Sequence, residues 1–296
     1  MKMKARAFAP AKINLSLHIT GQRADGYHLI DSIVAFADVG DIVTVETGKG
    51  AGLSVTGPAA QGVPADESNL VCRIARAFWP DADVHIQLEK HLPSASGIGG
   101  GSADAAACFR AMSKLFPRAA AADVTSELLQ IGADVPMCVS GKPARVGGVG
   151  EILDPIDALA SLPAVLVNPG IPVSTPAVFA ALECRSNAAM GVLPDDMSDP
   201  ASVADWLSRQ RNDMQQAAIA QVPQISAVLD HIASTSGCAF SRMSGSGATC
   251  FGIYPAPADA KAAALQLAAE RPDWWVCFAV LGSPPQADAQ LMRSTT

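Results

Sequence analysis

A glycine-rich segment between a strand and a helix constrains this chain more than any other stretch of its sequence. Residues 88–104 read LEKHLPSASGIGGGSAD, with four glycines among the five positions 97–101. Glycines at this density permit a tight path and a close approach of the backbone to a ligand. The helix that follows presents free N–H groups and the positive end of its dipole, which together form an anion site. The segment therefore predicts phosphate binding, and the alternative is a surface turn that caps a helix.

This segment differs from the two common phosphate-binding fingerprints. The pattern G-x-x-x-x-G-K-[ST] occurs nowhere in the chain, so a P-loop is excluded. A Rossmann fingerprint is excluded as well, because Ser102 stands where its third glycine should be. With these two motifs excluded, phosphate binding and a surface turn that caps the helix both stay open.

The composition restricts the partners and the compartment. The 296 residues are 49% hydrophobic and 17% charged, with a net charge of −7, which argues against a nucleic-acid partner. The seven cysteines form no CxxC pair and the five histidines lack metal spacing, so we expect reduced cysteines and no resident metal site. No apolar run approaches the ~18 residues of a membrane helix, and Pro10, Lys12 and Asn14 interrupt any signal peptide. We expect a soluble, cytoplasmic protein.

Hydrophobic periodicity predicts a mixture of strands and helices along the whole chain. The predicted strands cover 15–19, 43–45, 84–88, 164–167, 249–253 and 275–280, and the predicted helices cover 69–79, 103–116, 123–131, 203–220, 224–234 and 258–270. This order is typical of an α+β fold. A change in pattern between residues 154 and 163 predicts a boundary between two lobes.

Five segments, in this order, resemble the motifs of the GHMP kinase superfamily. They are Ala9–Leu15 (APAKINL), Thr20–His28 (TGQRADGYH), Pro93–Ala103, Gly132–Pro136 (GADVP) and Ser244–Ala248 (SGSGA). The run TGQRADGYH resembles the diphosphocytidyl-methylerythritol kinases rather than the superfamily at large. The likeness spans roughly residues 5–255, and five motifs in the right order are far more specific than any one of them.

The resemblance implies both a fold and a reaction. The implied fold is the two-lobed GHMP kinase fold, with a ribosomal-S5-domain-2-like lobe over 1–158, a ferredoxin-like α/β lobe over 159–296, and the active site in the cleft between them. The implied reaction is ATP-dependent phosphorylation of the 2-hydroxyl of a diphosphocytidyl sugar alcohol, in the non-mevalonate route to isoprenoid precursors.

Two residues are candidates for the phosphoryl-transfer chemistry. Asp134 is the best candidate for the base that takes the hydroxyl proton, although Asp is also common in a turn ahead of Val-Pro. Lys12 lies between strand residues rather than in a charged run, although most lysines are simply solvated. The resemblance assigns Lys12 and Asp134 to the catalytic pair.

The ligand-binding residues follow partly from the pattern and partly from the resemblance. Asn14 is predicted to share a strand face with Lys12 and to contact the substrate. The resemblance places Tyr27, His28, Thr175 and Phe179 around the cytidine of the acceptor. It assigns ATP binding to Pro93, Ser94, Ala95, Ser96, Gly97, Ile98, Gly99, Gly100, Gly101, Ser102 and Ala103, and it identifies Gly245, Ser246 and Gly247 as the third motif of the superfamily. Asn69 and Lys90 are weaker candidates for nucleotide contact, because Asn69 is also suited to cap a helix and Lys90 to be a surface charge.

The chain departs from the family pattern where a second hydroxyl is expected beside Ser102, because Gly101 and Ala103 flank it. We therefore expect no protein-held metal, and magnesium that arrives with ATP. Two alternatives stay open: another GHMP kinase of the homoserine or mevalonate type, and a nucleotide-binding regulator without catalysis. The presence of both Lys12 and Asp134 argues against the regulator. The partners expected are small molecules, and the oligomer is a monomer or a homodimer.

Overall fold

A hairpin of two twenty-residue strands, β1 (Met3–Gln22) and β2 (His28–Thr47), runs through the whole molecule. The computed structural model describes residues 2–117, 124–283 and 289–293. The two strands are antiparallel and join through the turn at 23–27, where Gly26 has a φ of +90° that favours glycine. Their register shifts between Pro10 and Lys12, which is a bulge of the kind often found next to active sites.

Nine further strands in the described residues complete a mixed sheet. They are β3 (Gly52–Thr56), β4 (Val84–Glu89), β5 (Ala144–Gly147), β6 (Ile152–Pro155), β7 (Leu162–Asn168), β8 (Phe240–Met243), β9 (Cys250–Ile253), β10 (Trp275–Gly282) and β11 (Gln290–Arg293). The main order is β11-β1-β2-β10-β7-β9-β8. The edge of β2 away from β1 pairs in turn with β4, β10 and β5. This one strand therefore links sheet segments from both halves of the sequence.

Helices cover the sheet, and some of them begin at a side chain that caps the N-terminus. They are α1 (Leu70–Phe78), α2 (Gly100–Leu115), α3 (Val124–Ile131), α4 (Val135–Ser140), α5 (Thr175–Ala180), α6 (Pro200–Ser208), α7 (Gln215–Gln221), α8 (Gln224–Ser234) and α9 (Pro257–Glu270). Asn69 caps α1 and Asp199 caps α6, each by accepting a backbone N–H of the first turn. Strands and helices in this arrangement confirm the predicted α+β class.

Two helix predictions need correction. The helix expected from Ala103 begins at Gly100, because glycine in the first turn does not prevent a helix whose later residues are mostly alanine. The single helix expected over 203–220 is interrupted at 209–214 between α6 and α7. The helix expected over 123–131 is found as α3, and its first residue, Asp123, lies outside the described residues.

The buried guanidinium of Arg242 explains the interruption after α6. It donates hydrogen bonds to the carbonyls of Leu15 at 2.7 Å, Leu207 at 2.8 Å and Gln210 at 2.6 Å. Burial lowers the pKa of Arg242 to about 10, so the group stays charged at neutral pH. A cation at the C-terminal end of a helix satisfies carbonyls that have no partner within the helix.

Three groups of buried apolar residues form the interior, and the β1–β2 hairpin contributes to each of them. The first group lies under α1 and α2, the second under α7, α8 and α9, and the third between β1, β7, β9, β10 and α6. Strand β11, near the end of the chain, pairs with β1 near its beginning. The division at residue 158 stays a prediction. Within the described parts of the chain, every helix falls short of the length and apolar character that crossing a membrane requires.

Candidate active site

The glycine-rich segment, here called the nucleotide loop (Pro93–Gly99), leads directly into the N-terminus of α2. Gly99 stands at the N-cap in the left-handed conformation, with φ of +65°, and no side chain caps the helix. The first intrahelical bond runs from Ala103 N to Gly99 O at 2.8 Å. The N–H groups of Gly100, Gly101 and Ser102 precede that bond and are available to an anion.

The aliphatic stem of Lys12 passes against Gly99. A Cβ at Gly99 would lie 3.1 Å from Cβ of Lys12 and 3.3 Å from its Cε. The backbone N–H of Lys12 also donates to the carbonyl of Ile98 at 2.9 Å. Glycine at position 99 therefore permits both the left-handed backbone and the contact between strand β1 and the nucleotide loop.

Lys12 and Asp134, 122 residues apart in sequence, form an ion pair with 2.8 Å between Nζ and Oδ2. Asp134 is the N-cap residue of α4, yet its side chain makes no capping bond, so the carboxylate is free to face Lys12. The Lys12 side chain is 7% exposed and the Asp134 side chain 37% exposed. A buried ammonium thus holds a carboxylate whose other side opens to a ligand.

The third motif packs against the nucleotide loop through backbone atoms. A Cβ at Gly97 would lie 2.5 Å from the carbonyl oxygen of Ser244 and 2.6 Å from that of Gly247. The hydroxyl of Ser244 donates to Gly97 O at 3.0 Å, and Thr249 N donates to Ser96 O at 3.0 Å. Contacts this close accept only glycine at position 97, where φ is also positive.

Asn14 lies on the same side of β1 as Lys12, as predicted, and joins this assembly. Its backbone N–H donates to the Ser244 hydroxyl at 3.1 Å, and its amide donates to the Ser32 hydroxyl at 2.8 Å. The side-chain oxygen Oδ1 is buried and has no hydrogen-bond partner in the described residues. An unpartnered buried acceptor is costly, so this atom is suited to receive a ligand hydroxyl or N–H.

Asn69 and Lys90, the two less firmly assigned ATP residues, are held by other protein groups. Asn69 accepts Val71 N at 3.1 Å and donates to Pro64 O at 2.7 Å, so its side chain shapes the cavity wall. The Lys90 ammonium pairs with the carboxylates of Asp41 and Asp104. Both residues line the cavity, and their contact with nucleotide stays a prediction.

Of the residues expected around cytidine, Tyr27 and His28 lie at the turn between β1 and β2, and Phe179 of α5 packs against His28. The His28 ring stacks on Phe179, and its Nε2 is buried without a partner in the described residues. Tyr27 is 64% exposed beside it. Burial, and next the charge of Arg185, hold the pKa of His28 below its ordinary value. A neutral imidazole with an open nitrogen can donate to or accept from the edge of a base.

Thr175 connects this end of the cavity to the third motif. Its hydroxyl lies 2.7 Å from that of Ser246. It opens the short helix α5, which also carries Phe179. The bond therefore fixes the distance between the third motif and the Phe179 ring.

All of these groups surround one cavity of about 1260 Å³, which exceeds the size of a usual single-ligand pocket. Most predicted site residues line it. Three do not: Ile98 and Ala103 are buried in the core, and Gly247 lies against the Met243 side chain. Their backbone positions support the lining residues.

Sequence reasoning missed several residues that build this site. Asn212 donates to the carbonyls of Met243 and Gly245, each at 2.8 Å, and lies in the break between α6 and α7. Arg185 lines the cavity at the His28 end. No local pattern marks either residue, because each acts on segments distant in sequence.

The described residues contain no cluster of three or more His, Cys, Asp or Glu side chains that could hold a metal ion. The acids that line the cavity near the loop, Asp104 and Asp134, are each paired with a lysine. Ser102 offers a hydroxyl at the start of α2. This donor set fits an ion that keeps most of its own ligands better than one held by protein alone.

Comparison with known proteins accords with this geometry. Residues 69–143 match the family described as GHMP kinases N terminal domain, and residues 195–273 match GHMP kinases C terminal. The 4-diphosphocytidyl-2-C-methyl-D-erythritol kinase of Dinoroseobacter shibae is 50% identical over 274 residues, 93% of this chain and 94% of that protein. The protein of that name from Cereibacter sphaeroides is 50% identical over 278 residues, covering 91% and 96%.

Solved structures show the same relationship. The crystal structure of a 4-(cytidine 5'-diphospho)-2C-methyl-D-erythritol kinase superposes with a TM-score of 0.76 at 30% identity, covering 94% of this chain and 99% of that one. The homoserine kinase of Cytophaga hutchinsonii superposes with a TM-score of 0.66 at 17% identity, covering 98% and 97%, which shows the fold alone. The predicted two-lobed kinase fold is thereby confirmed. With half its residues identical over nearly its whole length, the chain belongs to the 4-diphosphocytidyl-2-C-methyl-D-erythritol kinases, a family within the GHMP kinases.

Proposed function

We propose that this kinase transfers the γ-phosphate of ATP to the 2-hydroxyl of 4-diphosphocytidyl-2-C-methyl-D-erythritol, a step in the non-mevalonate synthesis of isoprenoid precursors. The observation that carries the proposal is the Lys12–Asp134 pair, which faces the same cavity as the nucleotide loop and the His28–Phe179 stack. The cavity is large enough for two ligands side by side.

Asp134 acts as the base in this proposal. Its carboxylate accepts the proton of the acceptor hydroxyl as that oxygen attacks the γ-phosphorus and the bond to ADP breaks. Lys12 holds the carboxylate in place at 2.8 Å and stabilises the negative charge of the reacting oxygens. Phosphoryl transfer depends mostly on such positioning and charge stabilisation, since the protein has little covalent chemistry to do.

The start of α2 binds the triphosphate in this proposal. The N–H groups of Gly100, Gly101 and Ser102 point out of the helix end, where the dipole also favours an anion. Magnesium would arrive with ATP and supply further positive charge. Ser102 is the hydroxyl that would meet it.

The acceptor occupies the other end of the cavity, with its cytosine at His28, Tyr27 and Phe179. A base offers a flat face for stacking on an aromatic ring and a polar edge for hydrogen bonds. The unpartnered Nε2 of His28 and Oδ1 of Asn14 are two buried polar atoms available to that substrate. We propose that the protein works in the cytoplasm as a monomer or a homodimer.

The decisive experiment measures ADP release with ATP, magnesium and the cytidylyl substrate, and locates the new phosphate by ³¹P NMR. We expect turnover that requires the cytidylyl group, with homoserine, mevalonate and free methylerythritol as poor acceptors. Equal use of an acceptor stripped of its cytidine would overturn the substrate and leave a general GHMP kinase. ATP binding without turnover on any acceptor would favour a regulator.

A further inference from the structure

Three ionisable side chains lie buried together beside the first turn of α2: Lys90, Asp41 and Asp104. The Lys90 ammonium donates to Oδ2 of Asp104 at 2.8 Å and also contacts Oδ2 of Asp41. None of the three side chains is more than 4% exposed. Removing ionisable groups from water costs free energy that only good pairing offsets, so three of them buried in this place need a reason.

The group connects the two ends of the nucleotide loop. Oδ1 of Asp41 accepts the backbone N–H of His91 at 2.5 Å and that of Leu92 at 2.9 Å, just before the loop. Asp104 lies in α2, just after the loop. Lys90 joins the two carboxylates, so the entry and the exit of the loop are held by one set of contacts.

The ammonium also lies against the residue whose N–H we assign to phosphate. A Cβ at Gly100 would be 3.5 Å from Nζ of Lys90 and 3.9 Å from Oδ2 of Asp41. The backbone of Lys90 is fixed independently, because its N–H donates to Thr56 O at 2.7 Å. Movement of the ammonium would therefore change the position of Gly100 first.

We propose that Asp41, Lys90 and Asp104 form a positioning unit that holds the nucleotide loop and the start of α2 in the geometry that binds ATP. The inference rests on the proposed function for the loop, and it assigns to Lys90 a role through the loop rather than on the phosphate. Asp41 and Asp104 are positioning residues in the same sense.

The two carboxylates differ in what they must do. Asp41 uses both oxygens, one for two backbone N–H groups and one for Lys90, so an amide at this position turns an N–H donor toward another donor. Asp104 uses only Oδ2, and its Oδ1 has no partner in the described residues. An asparagine at 104 can keep the acceptor toward Lys90, whereas a leucine cannot.

The test measures the affinity for a non-hydrolysable ATP analogue with magnesium by calorimetry, together with KM and kcat for both substrates. The variants are Asp41→Asn, Lys90→Met, Asp104→Leu and the conservative Asp104→Asn. Val45→Ala is the matched control, because Val45 is buried in the same strand as Asp41 but does not line the cavity.

We expect Asp41→Asn, Lys90→Met and Asp104→Leu each to weaken analogue binding at least tenfold, with KM for the acceptor changed less than threefold. Asp104→Asn should bind the analogue at least fivefold more tightly than Asp104→Leu does. If Asp41→Asn does not fold, the comparison of Leu with Asn at 104 decides the matter alone.

Two results would overturn the inference: analogue affinity within threefold of the wild type in the folded variants, or the same loss in Val45→Ala at an equal loss of thermal stability. Because analogue binding needs no acceptor, it also separates this inference from the proposed function. A wild type that binds the analogue but phosphorylates no acceptor would refute the function and leave the positioning unit to be judged on affinity.

Discussion

The imidazole of His28 lies on the ring of Phe179, with 4.6 Å between ring centroids and 15° between their planes. One face of Phe179 is therefore occupied by the imidazole of His28. The stack orients His28 toward the cavity and leaves a base the other face of Phe179, the His28 edge and the exposed ring of Tyr27. Under the proposed function, the stack is a preformed part of the acceptor site rather than a simple clamp for cytosine.

Removal of the Phe179 ring should weaken acceptor binding specifically. In Phe179→Ala we expect KM for the cytidylyl substrate to rise about five- to hundredfold, since base–aromatic stacking is worth ~1–3 kcal/mol. KM for ATP should stay within twofold, as should kcat at saturation. Tyr27→Ala should act in the same direction. Steady-state kinetics with each substrate varied in turn checks this, and a rise in both KM values would contradict it.

Substitution of either member of the Lys12–Asp134 pair should lower turnover without weakening nucleotide binding. In Asp134→Asn we expect kcat to fall by roughly 10²–10⁴, the usual contribution of a general base. Affinity for an ATP analogue should change less than threefold, because the amide is nearly the same size. Lys12→Met should lose a similar share of rate. The exposed Asp205→Asn serves as the control, and a folded Asp134→Asn with most of its kcat intact would show that another group is the base.

Gly99 of the nucleotide loop and Gly101 in the first turn of α2 should differ in their tolerance of a side chain. Gly99 has φ of +65° and a Cβ there would lie 3.1 Å from Cβ of Lys12, so Gly99→Ala should strain the backbone and displace the Lys12 side chain. At Gly101 a Cβ would meet only a Leu70 methyl at 3.6 Å, an ordinary contact. We expect Gly99→Ala to lower kcat and ATP affinity at least tenfold, while Gly101→Ala folds with wild-type stability. Calorimetry and thermal unfolding of the two variants check this.

Asp104 should make the stability of the protein depend on pH. Burial in the first place, with the nearby Asp41 adding to it against the pull of Lys90, raises the pKa of Asp104 to about 8. The folded state then binds a proton that the unfolded chain, with an ordinary Asp pKa near ~3.9, has already released. The unfolding free energy should therefore fall as pH rises from about 4 to 8, and level off above that.

The Tm of the wild type relative to Asp104→Asn, measured from pH 5 to 9, checks this sign. Because the amide cannot titrate, the Tm of the wild type should fall relative to that of Asp104→Asn as pH rises toward 8. A difference that is constant across this range would show that Asp104 is ionised throughout.

Arg185 should recognise the diphosphate of the acceptor. Its guanidinium contacts only neutral oxygens in the described residues, Oε1 of Gln22 at 3.4 Å and Ala180 O at 3.3 Å. The two lysines that line the same cavity are already paired with carboxylates. In Arg185→Met we expect KM for the cytidylyl substrate to rise at least fivefold and to become less sensitive to salt, with KM for ATP unchanged.

The control for this prediction is Arg209→Met at the C-cap of α6, which removes another exposed guanidinium that does not line the cavity. The same substitution at 185 should raise the pKa of His28 toward its ordinary value, which NMR titration of the imidazole would follow. An unchanged acceptor KM together with a shifted His28 pKa would place Arg185 near the site but outside the contacts with substrate.

The sequence predicted the parts of this site that lie in continuous motifs. Gly97, Gly99 and Asp134 stand in segments whose spacing carries the chemistry, and strand periodicity placed Asn14 beside Lys12. The helices with strong patterns, such as α1 and α9, were also predicted to within a few residues. Local propensity and periodicity suffice where a segment makes its own structure.

The parts that were missed depend on contacts between distant segments. Nothing near Asp41 or Asp104 in sequence indicates that they share a lysine, because that pairing exists only once β2, β4 and α2 are assembled. Asn212 likewise lies in a helix break that no local sequence pattern indicates. Arg242, 30 residues further along the chain, stabilises this break by donating to the carbonyls of Leu207 and Gln210. Tertiary contacts override helix propensity there.

The contact between Gly97 and Ser244 spans 147 residues, and it has a consequence for synthesis of the chain. The ribosome completes the nucleotide loop and begins α2 long before it adds the third motif that closes over the loop. At ~5–20 residues per second, the 145 residues from 104 to 249 take about 7 to 30 s. During that interval the nascent protein carries the glycine-rich segment without the third motif that packs against it. We therefore expect ATP to stabilise the chain only when translation is nearly finished.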